Sequence, residues 1–67
     1  MRVELRQSDP GGERPVAVAH LAPTIGELRR LCARHGLVLA HVRFERGGLS
    51  VIAVPRPAPL LAPLPPA

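Results

Sequence analysis

Apolar and charged residues alternate strictly over residues 1–7, in the order Met-Arg-Val-Glu-Leu-Arg-Gln. A period of two is typical of a half-buried β-strand. Residues 8–12 then contain Asp-Pro and Gly-Gly, which favour turns. Residues 16–21 are a second strand candidate, with β-branched Val16 and Val18. The first third of the chain therefore predicts two strands, joined as a loose hairpin by a loop of about seven residues.

A helix is predicted next, because its start and stop signals are both present. Thr24 is a favoured N-cap, and Glu27 stands three residues later, which is the capping-box pattern. Gly36 suits the left-handed position just beyond the end of a helix. Between them, apolar residues at helical spacing predict one buried face. That face carries Ile25, Leu28, Leu31 and Cys32.

Residues 37–45 and 49–54 are predicted strands on either side of Gly47-Gly48, a two-residue hairpin signal. Pro55 ends the last strand. With the two glycines as the loop, Val42 faces Ala53, and the hairpin has two different faces. The face expected to meet the helix carries Val42, Phe44, Leu49, Val51 and Ala53. The opposite face carries Leu39, His41, Arg43, Glu45, Ser50, Ile52 and Val54.

The element order predicts an α+β fold, ββαββ, with one helix packed on a four-stranded, mainly antiparallel sheet. The preferred strand order is 2-1-3-4, antiparallel throughout, and a parallel pairing of strands two and three is the alternative. Residues 1–55 form the predicted domain. Residues 56–67 are a Pro-rich tail, extended as polyproline II or disordered. In that tail Leu60, Leu61 and Leu64 are candidate docking anchors, and a loose terminus is the competing interpretation.

The chain has a net charge of +4, and its basic residues are nine arginines without a lysine. Together with abundant Ala, Pro and Gly, this usage indicates a GC-rich coding sequence more than a selected basic surface. Arg29, Arg30 and Arg34 nevertheless cluster on the predicted helix and are candidate phosphate contacts. Phe44 is the single aromatic residue, so the platforms on which nucleic-acid bases stack are missing.

Residues that could carry chemistry are few. Cys32 falls within the apolar stripe of the helix, where a cysteine behaves as a small hydrophobic residue. With His35 and either His20 or His41 it lacks the paired spacing of a structural zinc site. The five carboxylates include no pair spaced for acid–base catalysis. We therefore expect no enzyme, no metal and no cofactor, with thiol or sulfur-transfer chemistry at Cys32 as an alternative.

Residues 24–54 consist of a helix with a central cysteine, a glycine, a strand, two glycines and a strand. This arrangement resembles the second half of small sulfur-carrier proteins of the TusA type, and it covers about half of the chain. The Cys-Pro-x-Pro motif and the first helix of that family are absent here. The resemblance therefore transfers no functional residue to this chain.

A domain this small is marginally stable alone, and one sheet face is predicted to lack cover. We therefore predict a small non-enzymatic protein–protein interaction module, such as an adaptor, accessory subunit or regulator, that forms homo-oligomers. The interaction face would comprise Leu39, His41, Arg43, Ile52 and Val54. The alternative is a nucleic-acid-associated regulator of the repressor or antitoxin type. The single cysteine and the lack of a signal sequence or membrane-length apolar run favour the cytoplasm.

Overall fold

The computed structural model describes residues 1–57 and shows one helix and a four-stranded mixed sheet, which confirms the α+β class and the ββαββ order. The elements are β1 (Arg2–Asp9), β2 (Gly12–His20), α1 (Ile25–Arg34), β3 (Leu37–Glu45) and β4 (Gly48–Pro55). The predicted docking anchors Leu60, Leu61 and Leu64 lie outside the described residues. No helix in the described part of the chain is long and apolar enough to cross a membrane.

The strand order is β2-β1-β4-β3, so the predicted order 2-1-3-4 is wrong. β1 runs parallel to β4, while β1–β2 and β3–β4 are antiparallel. The composition of β4 explains its central place, because Val51, Ile52 and Ala53 are all buried although they alternate between faces. A strand that is apolar on both faces is typical of a sheet interior. The more polar β3 lies at the edge.

The first hairpin is tighter than predicted. Asp9 pairs with Gly12, so Pro10 and Gly11 alone make the turn. The Asp9 Oδ1 atom accepts a hydrogen bond of 2.9 Å from the Gly11 N–H, which closes the turn. The predicted loop of about seven residues is wrong because local side-chain bonding and glycine let both strands continue to the turn.

The second hairpin turns at Arg46-Gly47 instead of Gly47-Gly48, since Glu45 pairs with Gly48. Gly47 has φ +86°, which glycine adopts without strain. Gly48 belongs to β4, where a Cβ atom would collide with the carbonyl oxygen of Arg2 in β1. The register therefore differs by two residues from the prediction, and Val42 faces Val51. A shift of two leaves the side chains of residues 41–45 and of β4 on their predicted faces.

The helix begins and ends where predicted. The Thr24 hydroxyl accepts a bond of 3.3 Å from the Glu27 N–H, and Gly36 has φ +70°. The reciprocal half of the capping box is absent, because Glu27 pairs with Arg30 at 2.9 Å and the Thr24 N–H donates to the Ala22 carbonyl at 2.8 Å. The N-terminus of the helix is therefore capped by one side chain.

The core lies between α1 and one face of the sheet. Leu28, Leu31 and Cys32 are the buried residues of the helix. They pack with sheet residues Val3, Leu5, Leu37, Leu49, Val51 and Ala53. Ile25, predicted to share the buried helix face, is exposed. The prediction fails there because Ile25 occupies the first turn, before the helix reaches the core residues.

Candidate interaction surfaces

The sheet face opposite the helix, here called the outer face, differs from the prediction at Leu39. Leu39 pairs with Ala53 while His41 pairs with Ile52, so Ala40 is an extra residue in β3. Such a β-bulge changes the side-chain alternation along the strand. Leu39 consequently packs against the core on the helix side. Its placement on the outer interaction face is wrong.

Ion pairs join the charged side chains of the outer face. Arg6 pairs with Glu4 at 3.2 Å and with Glu13 at 3.3 Å. Arg43 pairs with Glu13 at 2.9 Å and lies 3.9 Å from Glu45. Glu45 in turn accepts a bond of 2.8 Å from the hydroxyl of Ser50, which is almost wholly buried. Charges of alternating sign therefore connect strands across this face.

The contact between Glu13 and Arg43 spans the sheet, because β2 and β3 are its two edges. Three strand spacings separate these edges, or about 14 Å in a flat sheet. The two side chains must therefore reach over β1 and β4. Ile52 lies on β4 on this face and is only 6% exposed, although the helix is on the other side. Its register neighbours are Arg6 in β1 and His41 in β3, and the apolar stem of an arginine covers neighbouring surface.

The electrostatics of Glu13 follow from this position. The hydrogen bond from Arg43 lowers the pKa of the Glu13 carboxyl below its ordinary value of 4.5, and the charge of Arg43 and the contacts of Arg6 lower it further. Partial desolvation acts in the opposite direction. The exposed apolar patch on the outer face is smaller than predicted, because Ile52 is buried. What remains of it is Val54, which is 36% exposed, and its pairing neighbour Val38, which is also exposed.

The three helix arginines are all exposed but do not act as one group. Arg30 is held by Glu27. Arg29 lines a groove beside β3. Arg34 has no carboxylate partner among residues 1–57. A phosphate-binding surface on this helix would therefore use Arg34 and Arg29, since neither has a carboxylate partner within residues 1–57.

A groove of about 400 Å³ lies between the C-terminal half of α1 and the start of β3. It is lined by Arg29, Ala33, Leu37, Val38, Leu39 and Arg56. The backbone N–H of Arg56 donates to the Gly36 carbonyl at 3.1 Å, which fixes that side of the groove. No carboxylate of residues 1–57 pairs with Arg29 or Arg56. The groove thus combines an apolar lining with two arginines that have no acidic partner in the described chain.

The sequence does not predict this groove, because Arg56 falls in the predicted Pro-rich tail and Leu39 on the predicted outer face. The bulge at Ala40 brings Leu39 to the helix side, and no local sequence signal marks it. The one available signal was Pro55 at the end of β4. Because β4 runs antiparallel to β3, the end of β4 lies beside the start of β3, and Arg56 therefore lies close to the end of the helix.

The two edges of the sheet differ in their capacity to pair with another strand. β2 contains Pro15, which lacks a backbone donor, and Val16, which has no partner in β1. A proline protects an edge from further pairing, because it cannot donate a backbone hydrogen bond. Each edge strand also has one bulge, at Val16 in β2 and at Ala40 in β3, so the bulges do not distinguish the two edges. β3 contains no proline over Leu37–Glu45, and the groove runs beside it. Its edge is therefore the better candidate for strand addition.

Phe44 is 80% exposed, although it lies on the helix side of β3 as predicted. It pairs with Leu49, which is buried, so the helix covers the neighbouring strand but not this corner. Val18, on β2, is the other large apolar residue of the sheet with more than half of its surface exposed. An aromatic ring without cover at the end of an edge strand indicates a contact surface.

Cys32 is 1% exposed and lies within the core. Burial raises the pKa of its thiol above the ordinary value of 9.0. Both properties disfavour the thiolate, which is the reactive form. Within residues 1–57, no group of three or more His, Cys, Asp or Glu side chains is close enough to hold a metal ion.

Comparison of the chain with models of protein families, with curated proteins and with solved structures finds no match in any of the three.

Proposed function

We propose that this chain is a small, non-enzymatic protein-binding module, and that its binding surface is the edge of β3, which pairs with no further strand within residues 1–57, together with the adjoining groove. The observation that carries the proposal is the position of the groove beside an edge strand that contains no proline. An extended segment added along β3 would form main-chain hydrogen bonds, while its side chains on the helix side enter the groove. Such a module would serve as an adaptor, an accessory subunit or a regulator.

The outer face supports this role less well than the β3 edge. Ile52 is covered and Leu39 lies on the other side of the sheet. The part of the predicted interaction face that still offers exposed surface comprises His41, Arg43 and Val54. Arg43 is already engaged with Glu13. We therefore assign binding to the edge of β3.

Selection of random linear peptides on the immobilised protein tests this proposal. Peptides that bind should slow hydrogen exchange of β3 amides, and the variant Ala33→Gln should weaken them about tenfold or more by filling the groove. Arg34→Gln is the matched control, because Arg34 occupies the same helical turn but does not line the groove. Failure to select any peptide, or protection confined to other strands, contradicts the proposal.

The alternative function is nucleic-acid binding through Arg34 with Arg29 and Arg30. The exposure of all three arginines favours it. Binding to phosphates weakens steeply as salt is added. Fluorescence anisotropy with a generic duplex and a generic single strand at low salt should then show binding that Arg34→Ala reduces. Absence of binding to both at low salt rejects this alternative.

Thiol chemistry at Cys32 has a direct test. Because the thiol is buried and its pKa is raised, we expect slow alkylation of the native protein and fast alkylation after denaturant is added. Mass spectrometry measures both rates. Fast labelling of the folded chain at neutral pH would contradict this expectation and favour the alternative of thiol or sulfur-transfer chemistry at Cys32.

A further inference from the structure

β3 carries two complementary features at its opposite ends. Phe44, near the C-terminal end, exposes 80% of its surface. The groove lies at the N-terminal end, where Leu37, Val38 and Leu39 form part of its lining. Phe44, Leu37 and Leu39 all lie on the helix side of the sheet, as their pairing with Leu49, Pro55 and Ala53 shows. A protruding ring and an apolar recess therefore share one strand and one side.

Two antiparallel copies of β3 related by a twofold axis would bring these features together. An axis perpendicular to the sheet keeps the helix side of both copies on the same side. It also places the Phe44 end of each strand beside the Leu37 end of the other. Twofold contacts of this kind occur in pairs, since each surface meets the other reciprocally. This arrangement uses only surfaces that are already exposed, namely the Phe44 ring and the groove.

We propose, on the basis of the binding surface assigned above, that the occupant of the groove is a second copy of this chain, with Phe44 of each copy inserted into the groove of the other. The sheets would join at β3, giving a continuous sheet with β2 at both outer edges. The protected character of β2 then limits growth to a dimer, because Pro15 lacks a backbone N–H for further pairing.

The arginines of the groove suit an aromatic occupant. Arg29 and Arg56 have no carboxylate partner within residues 1–57, and a guanidinium attracts the face of an aromatic ring. Insertion removes the apolar surface of Phe44 from water. The bulge at Ala40 lies near the middle of β3, so it sits close to the proposed axis, and the two strands would pair on either side of it.

The test is a complementation experiment by analytical ultracentrifugation. We expect the wild-type protein to dimerise, and Phe44→Ala and Ala33→Gln each to raise the dimer Kd about tenfold or more. A mixture of the two variants should dimerise more tightly than either alone. One intact Phe44 and one intact groove then meet in the heterodimer, whereas each homodimer has neither contact.

Ile25→Ala is the control, because Ile25 is exposed and apolar but lies outside β3, and it should leave the Kd unchanged. Circular dichroism of each variant checks that the fold is retained. A wild-type monomer at all concentrations, or a mixture that dimerises no better than its components, overturns the second-copy proposal. Neither result affects the peptide-binding test of the proposed function, so the two can fail separately.

Discussion

The two faces of the sheet are both shielded from water, but by different means. On the helix side, Val3, Leu5 and Val51 are fully buried among aliphatic side chains. On the outer face, Ile52 and Ser50 are almost as well buried, and their strand neighbours Arg6 and Arg43 form ion pairs. Apolar packing is insensitive to pH and salt, whereas exposed ion pairs are screened by salt and contribute little each. The ion pairs of the outer face should therefore be lost at a pH or salt concentration that leaves the apolar packing on the helix side intact.

Leu5→Ala should have the largest effect, because it removes a fully buried side chain of a central strand from the helix side. Truncation of a buried leucine costs about 2–5 kcal/mol. A domain of this size has roughly 3–5 kcal/mol of stability in total. We expect most of the population to unfold, as measured by circular dichroism during urea titration. Val18→Ala, on the exposed side of β2, is the control and should change the midpoint little.

Ile52→Ala should cost about 2 kcal/mol, the lower end of the range for buried aliphatic residues, because the flexible arginines can close over the space. Val54→Ala, two residues later on the same face and 36% exposed, should cost less than half as much. Urea titration again measures both. Equal effects at the two positions would mean that the outer face is open, as the sequence indicated.

The elements of the fold were predictable because their signals are local. The period of two over residues 1–7, the Thr24 cap and the left-handed Gly36 each depend on a few neighbouring residues. The predicted strand order was wrong, because the order depends on which strand has apolar residues on both of its faces and can therefore lie in the sheet interior. The apolar run over residues 51–54 contained that information, since an edge strand has no need of it.

The candidate site was less predictable than the fold. The bulge at Ala40 moves Leu39 to the helix side, and nothing near it in the sequence announces a bulge. The pair between Glu13 and Arg43 joins residues thirty positions apart across four strands. The predicted exposure of Ile52 failed for that reason, because the residues that cover it come from distant parts of the chain.

Glu13→Gln should lower the stability less than Leu5→Ala or Ile52→Ala. The pH dependence of its effect tests whether the ion pair between Glu13 and Arg43 is the cause. The pKa of Glu13 is lower in the folded protein than its ordinary value of 4.5. The pair therefore stabilises the fold above that pH, and the contribution is lost as the pH falls through the lower, folded-state pKa.

Thermal midpoints of wild type and Glu13→Gln should consequently differ slightly at neutral pH and converge in acid. Added salt should also reduce the difference, since the carboxyl is near the surface. Glu27→Gln is the matched control, because Glu27 pairs with Arg30 within one helix and covers no part of the sheet. If the difference between wild type and Glu13→Gln persisted in acid, the contact across the sheet could not be its source. Suppose that the difference in thermal midpoint for Glu13→Gln disappears in acid while the effect of Ile52→Ala stays the same at every pH. The outer face would then consist of an ion pair that titrates, lying above an apolar layer that does not.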